Sequence, residues 1–161
     1  MPKTFAELGL SESTLKALSD VGYESPSPIQ EQAIPSVLEG RDVIGQAQTG
    51  TGKTAAFGLP IAEYIDPEVS EVQALVLTPT RELCIQVTQA LRTYGAHTDI
   101  DVVAVFGGAP IRTQQAQLRA GGHIVVGTVG LRHPVDHGCG PGAGAVRDRG
   151  GRSGRGADAS A

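Results

Sequence analysis

Residues 47–54 constrain the fold of this 161-residue chain more than any other segment, because two glycines there precede a Lys-Thr pair. The segment reads AQTGTGKT and follows residues 42–46, which are predicted to form a short buried strand. A helix is predicted from Thr54 onward. Glycines in such a turn let the backbone approach phosphate oxygens, and amides at the helix N-terminus add a positive field. The pattern predicts a phosphate-binding loop in an α/β protein.

Two side chains of this loop carry its chemistry. Lys53 is predicted to reach the β and γ phosphates of a nucleoside triphosphate, and the Thr54 hydroxyl to take one position on Mg²⁺. The first position of the usual pattern, G-x-x-x-x-G-K-[ST], holds Ala47 instead of glycine. The alternative interpretation is a glycine-rich turn from strand to helix that binds nothing.

Beyond the loop, apolar stretches with strand character alternate with amphipathic stretches of helical period. Ser11 is predicted to cap a helix over residues 12–20, and Gly22 and Gly40 to follow the ends of the first two helices. The other predicted elements are helices at 28–39, 81–94 and 112–120, and strands at 73–78, 100–106 and 123–127. This alternation predicts a parallel sheet built from βαβ units, within about one domain.

Composition changes sharply after residue 130. Residues 131–161 hold 8 of the 22 glycines and lack Ile, Lys, Met, Phe, Tyr and Trp. They carry 5 Arg against 3 Asp, a net charge of +2, whereas residues 1–130 carry 8 basic and 14 acidic groups, a net charge of −6. Such a segment buries too little apolar surface to offset its chain entropy. We therefore predict a folded part at 1–130 and a disordered tail at 131–161.

The remaining composition excludes several classes of protein. Cys84 and Cys139 fit neither a disulfide framework nor a four-ligand zinc site. The N-terminus shows no apolar signal region, and no apolar run approaches the length of a membrane span. These features predict a soluble, cytoplasmic chain without a disulfide partner or a membrane partner.

The motifs around the phosphate loop are more specific than the loop itself. They are GYESPSPIQ at residues 22–30, PTREL at 79–83 and a glycine pair at 107–108. In order and spacing they resemble the N-terminal RecA-like domain of DEAD-box ATP-dependent RNA helicases, over about residues 1–130. Phe5 also stands where that family carries an aromatic residue upstream. The resemblance implies a parallel sheet of the P-loop NTPase (RecA-like) type, with ATP and Mg²⁺ as cofactors and RNA as partner.

The resemblance also implies roles for residues around the nucleotide. Gln30 would read the adenine edge through its amide, which offers both donors and an acceptor, and Tyr23 would pack against the base. Lys53 and Thr54 would be the catalytic members of the site. The implied nucleotide-binding set is Phe5, Tyr23, Gln30, Ala47, Gln48, Thr49, Gly50, Thr51, Gly52, Lys53 and Thr54. Gln30 also completes a capping box with Ser27, and the two roles are compatible.

A second implied set would hold the RNA sugar-phosphate backbone, independently of base sequence. It consists of Pro79, Thr80, Arg81, Gly107, Gly108 and Thr128. Thr80 lies where a strand turns into a helix, so its hydroxyl and the helix amides could bind a phosphate. The alternative is a plain helix start with Thr80 as its cap and Arg81 in solvent. The glycine pair alone would equally suit a turn.

The resemblance ends shortly after Thr128. The family continues with Pro-Gly-Arg, whereas this chain reads Val129, Gly130 and Leu131, with Arg132 one residue out of register. The sequence contains no Asp-Glu-Ala-Asp, no Ser-Ala-Thr and no second RecA-like domain. The sheet is therefore predicted to be incomplete, with a central strand missing beside its parallel neighbours. We predict that the chain as written neither hydrolyses ATP nor unwinds RNA.

The tail allows three interpretations. An abrupt change to Gly, Arg, Ala and Pro is typical of an out-of-frame reading of a GC-rich gene, which favours a frameshifted or truncated product. Residues 149–156, RGGRSGRG, instead resemble the RGG-type segments that bind RNA without folding. In that case the chain would be a non-catalytic nucleotide- or RNA-binding module, and in a third interpretation it is a non-functional fragment. His133, His137 and Cys139 lack a fourth partner for a metal site. The oligomeric state is not predicted.

Overall fold

The computed structural model describes residues 3–129 of the chain. Predictions for the tail at 131–161, including its RGG-like segment and its disorder, lie outside the described residues. A short 3-10 helix at Phe5–Leu8 is followed by helices α1 (Glu12–Asp20), α2 (Pro28–Leu38) and α3 (Lys53–Tyr64), strand β1 (Ala74–Thr78), α4 (Arg81–Tyr94), β2 (Val102–Val105), α5 (Ile111–Arg119) and β3 (Ile124–Thr128). None of the helices described is long and apolar enough to cross a membrane.

The three strands form one parallel sheet in the order β1-β3-β2. Thr78 at the end of β1 is in register with Thr128 at the end of β3, and Val105 at the end of β2 is in register with Gly127. The carboxyl ends of all three strands therefore meet at one edge of the sheet. This arrangement confirms the predicted α/β class with a parallel sheet.

Helix α4 covers one face of this sheet because its apolar residues recur at helical spacing. Its start is capped by Thr80, whose Oγ1 accepts the Leu83 N–H at 3.2 Å. Its buried positions are Cys84, Val87, Thr88, Leu91 and Tyr94. The Cys84 thiol donates to the Val126 carbonyl at 3.2 Å and is not in a disulfide. The helix is thereby fixed on the central strand β3.

Helix α3, which begins at the phosphate loop, packs closely on α4 at Gly58. A Cβ at this position would lie 3.0 Å from the Tyr94 ring and 3.1 Å from Leu91 Cδ2. A larger residue would therefore push the two helices apart. Leu59 and Leu91 are fully buried on either side of this contact. The core in this way sets the direction in which α3 leaves the loop.

The strand predicted at residues 42–46 is wrong. No strand is assigned in this segment, Ile44 is fully exposed and Val43 is 42% exposed. A strand needs a hydrogen-bonded neighbour, and among residues 3–129 the sheet contains only β1, β2 and β3. An apolar pattern alone does not make a strand, and the described residues supply no hydrogen-bonded neighbour for this segment.

The apolar side chains on one face of β1 are exposed. Leu75 and Leu77 are each 63% exposed, whereas Ile124 and Val126 on β3 are fully buried. Within the described part of the chain, β1 has a partner only on its β3 side. A cavity of about 470 Å³ lies between β1 and the start of α3, and its lining includes Lys53 and these two leucines. Leu75 and Leu77 alternate with Ala74 and Val76 along the strand, so their exposure means that the described residues cover this face of β1 poorly.

Candidate functional site

The phosphate loop keeps the backbone geometry that its glycines allow. Gly50 has φ of +83° and Gly52 has φ of +81°, a region that favours glycine. Helix α3 begins directly afterwards at Lys53, and its first intrahelical bond runs from the Ala56 N–H to the Gly52 carbonyl at 3.2 Å. The N–H groups of the first turn have no acceptor within the helix. They form a concave donor surface suited to an anion.

Two side chains of the phosphate loop donate hydrogen bonds to carbonyls of the loop itself. Lys53 Nζ donates to the Ala47 carbonyl at 2.6 Å, and Thr51 Oγ1 donates to the Gln48 carbonyl at 2.7 Å. The Lys53 side chain is exposed, and Thr54 is partly buried next to it. The predicted loop residues, including the exposed Thr49, are thus brought together around the start of α3. Ala47 contributes a backbone carbonyl, for which a side chain is unnecessary.

Gln30 connects the second helix to this loop. Its Oε1 accepts the Ser27 N–H at 2.9 Å, and its Nε2 donates to the Gly52 carbonyl at 3.0 Å. The Ser27 hydroxyl donates to the Thr51 carbonyl at 2.8 Å. Gln30 is 2% exposed. The capping interaction is present, and the amide retains one N–H and one lone pair, so adenine recognition is compatible with it in hydrogen-bond capacity.

A side chain at position 52 would disturb the contact between Gln30 and the loop. A Cβ at Gly52 would lie 2.3 Å from Gln30 Nε2, which is closer than nonbonded atoms approach. At Gly50 a Cβ would meet nothing within 4 Å. The two glycines therefore share a backbone conformation, but only at Gly52 would a Cβ also force a neighbouring side chain, Gln30, to move.

The two aromatic residues predicted at the nucleotide lie against each other. Phe5 is 5% exposed in the core and contacts Tyr23 edge-on, with ring centroids 6.1 Å apart and planes at 71°. Tyr23 is 37% exposed. The pKa of the Tyr94 hydroxyl is raised, mainly by burial and to a smaller extent by a hydrogen bond with Tyr23. Only Tyr23 of the pair presents substantial surface, and Phe5 would act by holding it.

The predicted RNA-binding residues converge at the carboxyl edge of the sheet. Thr78 Oγ1 donates to the Gly127 carbonyl at 3.2 Å, so the end of β1 is tied to β3 beside Thr128. Pro79 and Thr80 continue directly from β1 into α4. The Thr80 hydroxyl serves as the α4 cap, as the alternative interpretation expected.

Arg81 links the PTREL segment to the glycine pair. Its guanidinium carbon lies 4.8 Å from the centroid of the Phe106 ring, an arrangement typical of a cation–π contact. Gly108 has φ of +83°, and a Cβ there would lie 3.7 Å from an Arg81 nitrogen. Gly107 next to it is exposed. Among residues 3–129 the Arg81 side chain makes no ion pair or hydrogen bond, so its donors face solvent.

Sequence reasoning missed Gln114 on α5. This side chain is 8% exposed and makes three hydrogen bonds with the loop after β2. Its Oε1 accepts the Phe106 N–H at 3.0 Å, and its Nε2 donates to the carbonyls of Phe106 at 3.1 Å and Ala109 at 3.3 Å. A glutamine in a polar helix carries no local sign of such contacts, because their partners are set by the fold.

The residues present fit a magnesium nucleotide. The loop offers backbone amides, one exposed ammonium group at Lys53 and a hydroxyl at Thr54, and Gly52 keeps its carbonyl against Gln30. Mg²⁺ retains several waters and needs few protein ligands. No group of three His, Cys, Asp or Glu side chains suited to a metal occurs in the described residues. His133, His137 and Cys139 lie outside them.

Several known proteins are similar to this chain. An ATP-dependent RNA helicase, CshA of Limosilactobacillus reuteri, is 57% identical over 126 residues, covering 78% of this chain and 25% of the relative. The structure of the RNA helicase Prp28 from Chaetomium thermophilum, bound to ADP, is 42% identical with a TM-score of 0.73 over 78% of this chain and 32% of that one. The structure of Saccharomyces cerevisiae Dbp5 bound to RNA and ADP BeF3 is 36% identical with a TM-score of 0.72, over 80% of this chain and 32% of that one.

The chain therefore spans about a quarter of the curated relative and about a third of each solved chain. The fold matches these RecA-like helicase structures over the described residues, as predicted. The DEAD/DEAH box helicase family model matches residues 27–134, which is two thirds of the chain and includes the phosphate loop and the glycine pair. The chain belongs to the DEAD/DEAH box helicase family.

Proposed function

We propose that this chain is the part of an ATP-dependent RNA helicase that binds ATP and RNA. One observation carries the proposal: the phosphate loop at the start of α3 and the carboxyl ends of β1, β2 and β3 lie on one α/β unit, with Gln30 bonded to the loop. The relatives named as ATP-dependent RNA helicases and the neighbours solved with ADP or RNA support it. In a full-length protein, hydrolysis would be coupled to RNA unwinding.

For ATP, the loop amides and Lys53 would hold the phosphates, and the Thr54 hydroxyl would ligate Mg²⁺. Mg²⁺ bound with ATP would neutralise charge on the β and γ phosphates. Gln30 would pair with adenine through its remaining donor and acceptor, while Tyr23, supported by Phe5, would pack on the base. These roles are supported by the geometry of the loop and by the burial and bonding of Gln30.

For RNA, the exposed donors of Arg81, the backbone at Gly107 and Gly108, and the ends of β1 and β3 would contact the sugar-phosphate backbone. Because residues 1–130 carry a net charge of −6, affinity would depend on these few placed donors rather than on a basic surface. Contacts of this kind bind RNA without reading its sequence. A cytoplasmic setting remains a prediction from the sequence.

Replacing Arg81 with alanine is expected to weaken the binding of oligouridylate at the glycine pair by about 10-fold, which corresponds to the lower end of the roughly 1.5–3 kcal/mol that one charge-assisted hydrogen bond contributes. The measurement is an NMR titration that follows the amide signals of Gly107 and Gly108, which separates this site from binding by the tail. Arg119→Ala, at the far end of α5, is the matched control. Equal affinities for the Arg81 variant and the unsubstituted chain would contradict the RNA assignment.

The 161-residue chain is expected to bind ATP but to release no phosphate, with or without RNA. Phosphoryl transfer requires positioned metal, water and cationic groups, and the sequence supplies only the cradle and one metal ligand. The measurement is phosphate release by the purified chain, together with calorimetric titration of ATP and Mg²⁺ on the same sample. Phosphate release stimulated by RNA would show that the prediction is wrong.

A further inference from the structure

We propose that Gln114 is a positioning residue that holds the loop at residues 106–109 in the shape required for RNA binding, and that it fixes Arg81 through the Phe106 ring. The inference rests on the proposed function, because it concerns the same RNA-facing edge of the sheet. It adds to that function a residue on a different helix, α5, that does not itself touch RNA.

The geometry supports this role in two steps. First, the Gln114 amide occupies both backbone groups of Phe106, accepting its N–H at 3.0 Å and donating to its carbonyl at 3.1 Å. The third bond, to the Ala109 carbonyl at 3.3 Å, reaches across the glycine pair. One side chain therefore clamps the loop on both sides of Gly107 and Gly108, the residues with the greatest conformational freedom in it.

Second, the clamped residue is the one that holds Arg81. The Phe106 ring lies under the Arg81 guanidinium at 4.8 Å, and the Arg81 side chain has no hydrogen bond to any residue between 3 and 129. Its orientation therefore depends on Phe106. Releasing the Phe106 backbone would let the ring, and with it the guanidinium, sample other positions, so that order at Arg81 would have to be regained on binding RNA.

Burial explains why glutamine is suited to this position. Gln114 is 8% exposed, so a residue unable to satisfy the loop would leave polar groups unpaired. Glutamate could still accept the Phe106 N–H, but as a carboxylate it cannot donate to the two carbonyls. Leucine can do neither. Gln117 lies on the same helix but is exposed, and its side chain makes no hydrogen bond with the described residues.

The test uses the full chain, labelled with ¹⁵N, in four forms: unsubstituted, Gln114→Leu, Gln114→Glu and the control Gln117→Leu. Amide hydrogen exchange is measured first without RNA. We expect exchange at Phe106 to become about 3- to 10-fold faster in Gln114→Leu, corresponding to the loss of a hydrogen bond, and to change less in Gln114→Glu, which still accepts the Phe106 N–H. Exchange at Leu91, in the core of α4, is expected to be unchanged, which separates local release of the loop from general destabilisation.

The second measurement is titration with oligouridylate, following the Gly107 and Gly108 amides, alongside titration with ATP and Mg²⁺. We expect about 3- to 10-fold weaker RNA binding by both Gln114 variants and unchanged ATP binding. Unchanged exchange at Phe106 in Gln114→Leu would overturn the inference. A second outcome would overturn the positioning role and leave the proposed function standing. In that outcome Gln114→Leu exchanges faster at Phe106 but binds RNA with unchanged affinity, whereas Arg81→Ala binds RNA more weakly. Failure of RNA to shift these amides in the unsubstituted chain would instead overturn the RNA assignment and the inference with it.

Discussion

Lys53→Ala is expected to weaken the binding of ATP and Mg²⁺ to this chain by about 10- to 100-fold, because hydrogen bonds to charged groups contribute roughly 1.5–3 kcal/mol. Lys53 is the first residue of α3, and its ammonium lies at the loop, where it donates to the Ala47 carbonyl at 2.6 Å. The same ammonium would turn to the phosphates on binding. Isothermal titration calorimetry of the two proteins gives the comparison directly.

Two controls make this result specific. Lys16→Ala removes an exposed lysine from α1 and is expected to leave ATP affinity unchanged. A thermal melt of Lys53→Ala checks that loss of the Ala47 bond has not unfolded the domain, since an exposed hydrogen bond contributes only about 1 kcal/mol. If Lys53→Ala binds ATP as tightly as the unsubstituted chain, residues 47–54 are not a nucleotide site.

Gly52→Ala is expected to lower the free energy of unfolding by about 2–5 kcal/mol and to remove ATP binding. Two costs add here. A residue with a Cβ at φ of +81° costs roughly 1–2 kcal/mol. The added Cβ would also lie 2.3 Å from Gln30 Nε2 and would displace it. Displacing a buried amide from its acceptor costs roughly 1–3 kcal/mol more. Urea unfolding and ATP titration measure the two effects.

Gly50→Ala is the matched control, because Gly50 has nearly the same φ, +83°, but nothing within 4 Å of its Cβ position. It is expected to cost only the roughly 1–2 kcal/mol of backbone strain. Gln30→Ala combined with Gly52→Ala should recover part of the loss, since the clashing amide is gone. Equal destabilisation by Gly50→Ala and Gly52→Ala would show that the contact with Gln30 contributes nothing.

The helices that carry their own caps were predictable residue by residue. α1 and α4 begin and end where the sequence predicted, because Ser11 and Thr80 accept N–H groups of the first turn through their side chains. α5 begins one residue earlier than predicted, and its N-cap position is Pro110, which makes no such bond. A helix start without a capping side chain leaves little local information about its first residue.

The candidate site likewise combines residues that the sequence predicted with contacts that it did not. Its loop and motif residues were identified from residue order, since glycines, Lys53 and Thr54 reveal a phosphate cradle through local geometry alone. Gln30 was predicted both as a cap and as a ligand for adenine, and the structure shows the cap. Its bond to the Gly52 carbonyl was not predicted, because the two residues are 22 positions apart. The role of Gln114 was not predicted either, because its partners in the loop after β2 are brought to it by the fold.

The α/β alternation, the capped helices, the phosphate loop and the helicase family could be predicted from the residues alone, because each depends on residues close together in the chain. The folded arrangement was needed to show that residues 42–46 are not a strand, and that Gln114, Phe106 and Arg81 form one connected unit. Strand pairing and side-chain clamps depend on partners brought together by folding. An apolar pattern indicates that a segment can enter a sheet, but a hydrogen-bonded neighbour must be present for it to do so.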